Sequence, residues 1–458
     1  MANYIAKEHN GSDGANSRTK STFSVWVKRC RTGVAEQIWS WGENNSSDAR
    51  LKFQSDDVLR LHSDGAGSPI ETTQKFRDCN GWYHFVAVFD GSNGTEAYRR
   101  RVWINGVEWI HGASTSTFSA AVAGHNSVQD LYIGDNARMQ QNSSNAEPFV
   151  GYMSHFHYCD GYAYTAADFG ETDATTGEWK AITEPSVTYG THGIFLKMED
   201  SSNMDLDSSP NASSQLSTTG TILPSEDCPN NVFCTLNPLN GVQPTGGITS
   251  VIKYGNNEFR DGENGSNFSY VAGTIGARAG KFYWETKVTD LAEIDQVGVA
   301  LASVAFSNLA TSHGLQATNY GGKGCQFSNG NKVGDGSGSA YMGGFSVNDI
   351  MMIALDLDNN KITFGRNGQW ADGSGNANQT YANSTAAYTN LTAGEFYVPA
   401  QAKRASGSNY GTNSYNFGNG CFGTTAISSE GTNASGNGRF EYDVPTGFTA
   451  LSTQGLNT

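Results

Sequence analysis

The sequence predicts an all-β protein that consists of two antiparallel, jelly-roll-like β-sandwich domains joined by a polar connector. Glycine supplies 55 of the 458 residues and charged residues only 16%, which suits short strands joined by many turns. Short apolar or alternating runs recur roughly every ten residues with turn signals between them, as in a β-sandwich. No helical periodicity and no apolar run of about 18 residues occurs, so a membrane-spanning helix is not expected.

The third observation behind this fold class is a hairpin pattern that occurs twice, in residues 85–109 and 350–370. Each copy has an apolar strand, a polar turn, a second strand and an Asn-Gly pair followed by a tryptophan. Asn-Gly favours a type I′ turn, because that turn needs positive φ at both central residues. The pattern therefore predicts turns at Asn105-Gly106 and Asn367-Gly368, one in each sandwich.

The first domain is predicted to span residues 1–200. Its strands are expected at residues 23–28, 37–42, 50–53, 59–62, 85–89, 131–134, 151–157 and 193–198. Residues 85–89 are apolar on both faces, which predicts a central strand, and residues 166–170 fit a single helical turn. Residues 201–245 are rich in Ser, Asn, Asp, Thr and Pro and are expected to form the connector.

The second domain is predicted to span residues 246–425, with its clearest strand at residues 281–288. Alternation in that strand predicts one face with Phe282, Trp284 and Val288 and the opposite face with Tyr283, Glu285 and Lys287. Further strands are expected at residues 296–304, 395–400 and 415–418. Residues 426–458 return to aromatic character and are expected to pack back on the second domain.

The charge of the chain argues against nucleic acid as a partner. The net charge is −15, whereas a protein that binds a duplex needs a basic face. The one locally basic stretch is Arg99-Arg100-Arg101, which we interpret as the solvated start of a strand. The acidic surface instead favours solubility in a crowded assembly.

The seven cysteines indicate neither a metal site nor a disulfide framework. Their number is odd, no CxxC pair occurs, and metal-ligand spacing is absent. We expect small buried residues in a protein made in a reducing cytoplasm. A bond between Cys228 and Cys234 remains open, and residues 1–14 lack the apolar core of a signal peptide.

Motifs in both halves resemble known families. In the first half, FSVWVKR at residues 23–29, GWYHFVAVFD at 81–90, WINGVEW at 103–109 and LYIGD at 131–135 are similar to the laminin-G/concanavalin-A-like superfamily. In the second half, GKFYWETKV at residues 280–288, QVGVAL at 296–301 and IALDLDNNKITFGRNG at 353–368 are similar to SPRY domains. Both resemblances imply β-sandwich folds.

The order of these motifs resembles a group of bacteriophage virion proteins. In that group FGETD and TGEW (residues 169–173 and 176–179) lead through CTLNPL (234–239) to a SPRY-like domain and a final PTGF (445–448). The resemblance implies a protein of the virion surface, made in the host cytoplasm. It implies either a tail fibre or receptor-binding appendage that binds host envelope glycan or protein, or an architectural capsid decoration or head fibre protein.

The resemblance also sets the expected partners. These are other virion structural proteins, further copies of the chain (a trimer is the commonest state of fibres) and a host surface glycan or protein. Neither nucleic acid nor insertion into a membrane is expected.

The sharpest enzymatic pattern is Glu293-Ile294-Asp295-Gln296-Val297, which is similar to the E-x-D-x-E strand of concanavalin-like β-glucanases. Retaining hydrolysis needs two carboxyl groups about 5 Å apart, and the last carboxylate is replaced here by Val297. His155 and His157 share one strand face but lack a third ligand nearby. We therefore predict no catalytic residues and a protein that is not an enzyme; a glycan depolymerase remains the least favoured alternative.

Two sets of residues are candidates for binding sites. Laminin-G-like sandwiches often hold calcium at a loop rim, and Asp200, Asp205 and Asp207 offer closely spaced oxygen ligands. No other cofactor is expected, and the alternative is a solvated acidic joint. Tyr320, Tyr341 and Trp370 are candidates for stacking on a glycan, with packing at turn corners as the alternative.

Overall fold

The computed structural model describes residues 3–7, 19–42, 48–63, 69–110, 130–135, 147–211, 216–242, 250–261, 268–304, 314–317, 321–404 and 410–457. The chain forms two compact units, unit 1 (Met1–Pro224) and unit 2 (Ser225–Thr458). Within the described residues the units contain strands and short 3-10 turns but no α-helix. The predicted all-β fold class is confirmed.

Unit 1 is a sandwich of a seven-stranded and a six-stranded antiparallel sheet. The orders are β15-β1-β10-β3-β4-β5-β6 and β14-β11-β2-β7-β8-β9, and β12 and β13 form a separate pair. Its 3-10 turns are Glu96–Tyr98 and Ala166–Asp168. The strands are β1 (Tyr4–Lys7), β2 (Lys20–Arg29), β3 (Glu36–Gly42), β4 (Asp48–Phe53), β5 (Val58–Ser63), β6 (Ile70–Lys75), β7 (Tyr83–Asp90), β8 (Arg100–Ile104), β9 (Val107–Glu108), β10 (Leu131–Ile133), β11 (Gly151–Asp160), β12 (Gly170–Thr172), β13 (Trp179–Ala181), β14 (Ile194–Leu196) and β15 (Leu216–Thr219).

Unit 2 is a second sandwich with its own core. Its sheets have the orders β16-β19-β29-β21-β22-β23-β24 and β17-β18-β30-β20-β25-β26-β27-β28; β33 pairs with β20, and β31 pairs with β32. Its 3-10 turns are Gly314–Gln316, Tyr381–Asn383 and Gly455–Asn457. The strands are β16 (Leu236–Val242), β17 (Val251–Lys253), β18 (Glu258–Arg260), β19 (Ser269–Gly273), β20 (Lys281–Ala292), β21 (Ile294–Leu301), β22 (Lys323–Gln326), β23 (Lys332–Gly334), β24 (Ser337–Ser339), β25 (Ile350–Asp356), β26 (Lys361–Arg366), β27 (Gln369–Ala371), β28 (Ala377–Gln379), β29 (Tyr397–Arg404), β30 (Tyr410–Asn416), β31 (Cys421–Phe422), β32 (Thr425–Ala426) and β33 (Thr449–Ala450).

The central strand of unit 1 is β7, as the apolar run predicts. Phe85, Ala87 and Phe89 point into the core between the two sheets, while Val86 and Val88 pack in a separate cluster on the opposite face. Pairing with β2 and β8 satisfies both edges of the strand. A strand buried on both faces needs apolar residues at every position, which explains the continuous run.

Strand β20 organises unit 2 in the same way. Phe282, Trp284 and Val288 lie in the sandwich core, and Tyr283 lies on the opposite face among Phe440 and Phe448 of the chain's last segment. The predicted division of residues between the two faces is confirmed. The last segment also adds β33 as a parallel partner of β20, so it covers the outer side of this sheet.

Residues of the predicted connector take part in both sandwiches. Strand β15 pairs with β1 at the edge of the seven-stranded sheet of unit 1. Strand β16 pairs with β19 at the edge of a sheet in unit 2. The boundary between the compact units falls between them, after Pro224.

Both Asn-Gly turns have the predicted geometry. The φ angles are 47° and 82° at Asn105 and Gly106, and 50° and 83° at Asn367 and Gly368. Positive φ at both central positions is the requirement of a type I′ turn. The predicted single helical turn is also present, as the 3-10 turn Ala166–Asp168 with a capping box from Thr165.

No disulfide joins the seven cysteines, all of which lie in the described residues, so Cys228 and Cys234 do not pair. A search of the described part of the chain for a helix long and apolar enough to cross a membrane finds none.

Candidate functional site

Each sandwich has two sheet faces that point away from its core, and three of these four faces are apolar. In unit 1, the outer face of the six-stranded sheet carries Val86, Val88 and Trp103 and is covered by Phe169 and Tyr189. In unit 2, the last segment covers one outer face. The other outer face of unit 2 has an apolar cluster that includes Phe268, Tyr270, Ala300, Leu315 and Ala400.

The fourth face, on the seven-stranded sheet of unit 1, is polar. Strand register places Tyr132, Ser40, Arg50 and His62 side by side across β10, β3, β4 and β5. These strands alternate, so their other residues, such as Trp39, Leu51 and Leu61, enter the core. We define the polar face by Ser40, Asp48, Arg50, Lys52, Arg60, His62, Glu71, Tyr132 and Glu147.

The charged side chains of the polar face are paired. The Asp48 carboxylate lies 3.2 Å from Arg50 Nη1 and 3.6 Å from His62 Nε2. Lys52 Nζ donates to both carboxylate oxygens of Glu147, at 2.9 and 2.8 Å. These contacts fix the side chains in defined orientations. The centre of the face is largely buried, since Ser40, Asp48 and Tyr132 are 0%, 1% and 6% exposed and the Arg50 and His62 side chains only 13% and 19%.

A third pair completes the face. Arg60 Nε lies 3.2 Å from Glu71 Oε1, with the two side chains 32% and 46% exposed. Three cations therefore face three carboxylates, and the face has little net charge when His62 is neutral. Such a surface offers oriented donors and acceptors without the field that would select a polyanion.

An aromatic pair lies at one end of the polar row. The rings of Tyr4 and Tyr132 make an edge-to-face contact with 5.6 Å between centroids. Tyr4 is half-buried, so part of its ring remains accessible. Rings beside fixed polar groups are a common arrangement in sites that bind sugars, because the C–H face of a sugar packs on a ring while its hydroxyls form hydrogen bonds.

His84 and His157 lie on the covered face of unit 1 instead. His84 is fully buried, stacks on Trp26 and contacts Ser24 Oγ through Nε2 at 2.8 Å. Burial lowers the pKa of His84 to about 3 and that of His157 well below its usual range. Both rings are therefore neutral packing residues at physiological pH.

The three aspartates proposed for calcium serve as hydrogen-bond acceptors in turns. Asp200 accepts from the backbone and hydroxyl of Ser202, and Asp205 accepts from Thr218 Oγ1 at 2.8 Å. Asp207 is buried and accepts from two backbone N–H groups. Among the described residues, no group of three or more His, Cys, Asp or Glu side chains is placed to hold a metal.

The aromatic residues proposed for glycan stacking are not accessible where the structure describes them. Tyr341 is 1% exposed and donates to the Thr385 carbonyl at 2.6 Å. Trp370 is 4% exposed and packs edge-to-face on Tyr381. The expectation of exposed rings is therefore corrected at both positions, because loop-flanking aromatics complete the core; Tyr320 lies outside the described residues.

The β-glucanase-like pattern in β21 has a structural role. Asp295 is fully buried and ion-paired with Lys403, Nζ to Oδ2, at 3.0 Å. Gln401 and Asn413 also donate to its carboxylate, at 2.7 and 2.8 Å. Glu293, by contrast, is half-exposed and paired with Arg404, so the two carboxylates lie in different environments.

The arginine triplet is less solvated than predicted. Arg100 begins β8 but is 4% exposed, and burial lowers its pKa to about 10. The Arg101 guanidinium lies 4.3 Å from the centre of the Trp103 ring and pairs with Glu108. Arg101 therefore contacts residues of its own hairpin.

Sequence reasoning overlooked the polar face, although its signal is visible. RLKF and LRLH, at residues 50–53 and 59–62, alternate charged and apolar residues. The alternation predicts strands at these positions. The register that aligns Arg50 with His62 and Lys52 with Arg60 is set by strand pairing, which alternation within one strand does not specify.

Three solved structures are similar to parts of this chain. The SPRY domain of human HERC1 has 16% identity and a TM-score of 0.30, with 39% of this chain and 96% of that chain covered. A human SPRY domain has 10% identity and a TM-score of 0.26 over 37% and 96%. The native heptameric SAP-like pentraxin from Limulus polyphemus has 17% identity and a TM-score of 0.26 over 36% and 72%.

No curated protein matches this chain. Residues 6–168 match Laminin_G_3, described as the concanavalin A-like lectin/glucanases superfamily. The matched range contains β2–β8 and the polar face. Residues 6–168 of unit 1 are thus similar to the concanavalin A-like lectin/glucanases superfamily.

Proposed function

We propose that this protein is a non-enzymatic binding protein of a bacteriophage virion surface, a tail fibre or receptor-binding appendage whose polar face binds a host envelope saccharide. The observation that carries the binding proposal is the polar face itself. The other three outer sheet faces are apolar in the described residues, whereas this one carries oriented, paired charges, of which Arg60, Glu71 and Glu147 are the accessible ones at 32%, 46% and 26% side-chain exposure. The virion assignment rests on the order of motifs along the chain.

The chemistry of the polar face fits a neutral saccharide. Paired Arg, Lys, Asp and Glu side chains both donate and accept, as vicinal hydroxyls require. Four adjacent strands span about 15 Å at the usual strand spacing, which is long enough for two or three sugar units. The superfamily of the matched domain includes lectins by its description, which supports the same ligand class.

A depolymerase is the less favoured function. A retaining hydrolase needs two accessible carboxyl groups at close range, and Asp295 is sequestered by Lys403, Gln401 and Asn413. The ion pair is instead enclosed within the sandwich of unit 2. Incubation of the purified protein with host envelope polysaccharide tests this point, because the release of reducing ends would overturn the non-enzymatic assignment.

A matched pair of arginine variants tests the polar face. Arg60 and Arg404 each lie 3.2 Å from a glutamate, and the exposures of the paired side chains are similar. We expect Arg60→Ala to weaken binding to host envelope polysaccharide by about ten-fold, the loss of one charge-assisted hydrogen bond. Arg404→Ala should leave binding within about two-fold by the same free-energy scale. Equal losses would exclude the polar face.

Localisation distinguishes the appendage from the alternative, an architectural capsid decoration or head fibre protein. Gold-labelled antibodies against the chain should mark the tail of intact particles, and label spread over the head would favour the alternative. Purified protein should bind susceptible host cells but not resistant ones. We also propose self-association and contacts with other virion proteins, and light scattering of the purified chain measures whether a trimer forms.

A further inference from the structure

A turn of unit 2 with three successive left-handed residues presents an exposed aromatic ring. Tyr254, Gly255 and Asn256 are successive residues with φ of 51°, 69° and 62°. A left-handed conformation costs a residue such as tyrosine about 1 kcal/mol or more. The turn links β17 to β18, and Tyr254 is 46% exposed although Asn256 and Asn257 are buried.

Backbone bonds from two distant elements hold this turn in place. The Asn256 carbonyl accepts from Leu236 N at 2.8 Å, and the Asn257 carbonyl accepts from Tyr415 N at 2.6 Å. The strained conformation is therefore fixed by the fold. As a consequence, the Tyr254 side chain stays at the surface. Its ring therefore does not gain the free energy that burial in the core would provide.

The Tyr254 ring is also fixed in orientation by the neighbouring hairpin of β31 and β32. A Cβ atom at Gly423 would lie 3.4 Å from Tyr254 Cδ2, 3.1 Å from Glu258 Oε2 and 3.2 Å from Ser414 Oγ. One edge of the ring thus rests on this glycine, and the carboxylate and the hydroxyl border the same point. Gly423 has φ of 58° and is buried.

The polar groups beside the ring form a short chain. Ser414 Oγ donates to Glu258 Oε2 at 3.0 Å, and Thr289 Oγ1 lies 3.2 Å from Ser414 Oγ. Glu258 is half-buried and Thr289 is exposed. Among the described residues, the donor to the Glu258 carboxylate is the Ser414 hydroxyl, which bonds to Oε2. The second oxygen, Oε1, can therefore accept from a ligand.

We propose that Tyr254, Glu258 and Thr289 form a second saccharide subsite, on unit 2, which takes one neutral sugar ring. The ring of Tyr254 supplies the stacking surface, and Glu258 Oε1 accepts from a sugar hydroxyl. Thr289 donates its proton to Ser414 Oγ, so its Oγ1 acts toward the sugar as a second acceptor. The carboxylate disfavours uronic acids and other anionic sugars through like-charge repulsion. This subsite is independent of the polar face and of the virion assignment.

Substitution of Tyr254 separates a binding role from a structural one. Tyr254→Asn removes the ring and introduces a residue that tolerates positive φ, so the variant should be at least as stable as the parent protein. Glu258→Gln removes the charge but keeps the shape. Phe396→Ala is the control, because Phe396 is a similarly exposed aromatic of unit 2, at 49%, that lies near Arg278.

The experiment is saturation-transfer NMR on the full-length protein with glucose, galactose, mannose, N-acetylglucosamine and glucuronic acid. At least one neutral sugar should give a signal that falls by three-fold or more, roughly the loss of one weak contact, in Tyr254→Asn and Glu258→Gln. That signal should persist in Phe396→Ala and in the polar-face variant Arg60→Ala. The proposal is overturned if no neutral sugar gives a signal that depends on Tyr254, if glucuronic acid gives the larger Tyr254-dependent signal, or if Phe396→Ala loses as much.

Discussion

The two Asn-Gly hairpins share one local structure and differ in what covers them. In unit 1, the backbone N–H of His84 donates to Asn105 Oδ1 at 2.8 Å, and the backbone N–H of Asn105 donates to the His84 carbonyl. In unit 2, Ile350 N and Asn367 form the same reciprocal pair at the same distance. Each asparagine thereby ties the turn to the start of the strand one further back in the chain, β7 in unit 1 and β25 in unit 2.

The covering contact is closer in unit 1. A Cβ atom at Gly106 would lie 2.6 Å from Trp179 Cε3, and one at Gly170 would lie 2.4 Å from Trp179 Cζ2. The indole is therefore clamped between two glycines, and its Nε1 donates to His84 Nδ1 at 3.0 Å. At Gly368 the corresponding distance, to Tyr442 Cδ1, is 3.2 Å.

The chemistry that holds the covering segment also differs. Unit 1 uses a neutral histidine as the acceptor, whereas unit 2 uses the buried carboxylate of Glu285. That carboxylate accepts from the backbone N–H groups of Glu441 and Tyr442 at 3.0 and 2.8 Å. Tyr283 and Asn416 donate to it as well. The segment that covers the turn is thus held by a neutral histidine in unit 1 and by a buried carboxyl group in unit 2.

The largest difference should come from removal of the covering rings. Trp179→Ala should destabilise unit 1 by about 4 kcal/mol. It removes the ring that packs between Gly106 and Gly170, and it leaves His84 Nδ1 without its hydrogen-bond donor. Tyr442→Ala should cost unit 2 about 1 kcal/mol, since that ring packs less closely on its glycine. Hydrogen exchange of peptides from each unit measures the two effects within the full chain, and similar losses would contradict the difference in packing.

The next largest effect is a pH dependence of unit 2 that comes from Glu285. Burial raises the pKa of Glu285 to about 7 from a usual value of 4.5, although its four donors offset part of that rise. The folded state therefore binds this proton more tightly than the unfolded state. The associated stability is fully present below pH 4.5 and is lost as the pH rises to about 7, by roughly 3 kcal/mol.

Urea unfolding of the full chain between pH 4.5 and pH 7.5 tests this dependence, with Glu285→Gln as the matched variant. The free energy of unfolding of the parent should fall relative to that of the variant as the pH rises. A difference that stays constant with pH would show that Glu285 titrates as it does in the unfolded chain.

Valine at the turn glycines should have an intermediate effect. Gly106→Val should cost about 2 kcal/mol, from the positive φ and the clash with Trp179. Gly368→Val should cost somewhat over 1 kcal/mol, because the strain is the same and Tyr442 is further away. Thermal melts record both, and unchanged melts would show that these turns are not required. In a Trp179→Ala background, the cost at Gly106 should fall to that at Gly368.

The smallest effect should be equal in the two units. Asn105→Ala and Asn367→Ala each remove one side-chain acceptor of a backbone N–H and a residue suited to positive φ, which should cost about 1 kcal/mol. Asn367 Nδ2 also donates to the Asp349 carboxylate at the surface, at 2.7 Å, a contact worth little there. Hydrogen exchange should therefore report similar losses in unit 1 and unit 2. Unequal losses would show that the covering segments influence the turns themselves.

Local sequence rules predicted much of the fold because they concern neighbouring residues. The alternation in residues 281–288 separated the core side of β20 from its outer side correctly. It did not reveal that Glu285, on that outer side, is fully buried beneath Glu441 and Tyr442, which lie more than 150 positions away. Burial of an outer face depends on which distant segment returns to it.

The candidate sites show the same limit. Tyr341 and Trp370 were selected as aromatics beside loops, and both became core residues because other segments pack around them. Tyr254 was not selected, because its sequence neighbours give no sign that three successive residues have positive φ. The polar face required the alignment of four strands, which is a property of pairing between strands.

The sequence by itself determined the strand-rich class, the two type I′ turns and the inner side of the main strands. Those features follow from φ preferences and from the two-residue period of a strand, both of which act over a few bonds. Tertiary structure alone decided which outer faces are covered, which charges are paired and which aromatics reach the surface. These outcomes depend on contacts between residues far apart in the chain, where the free energy of burial and desolvation is set by the partner rather than by the residue type.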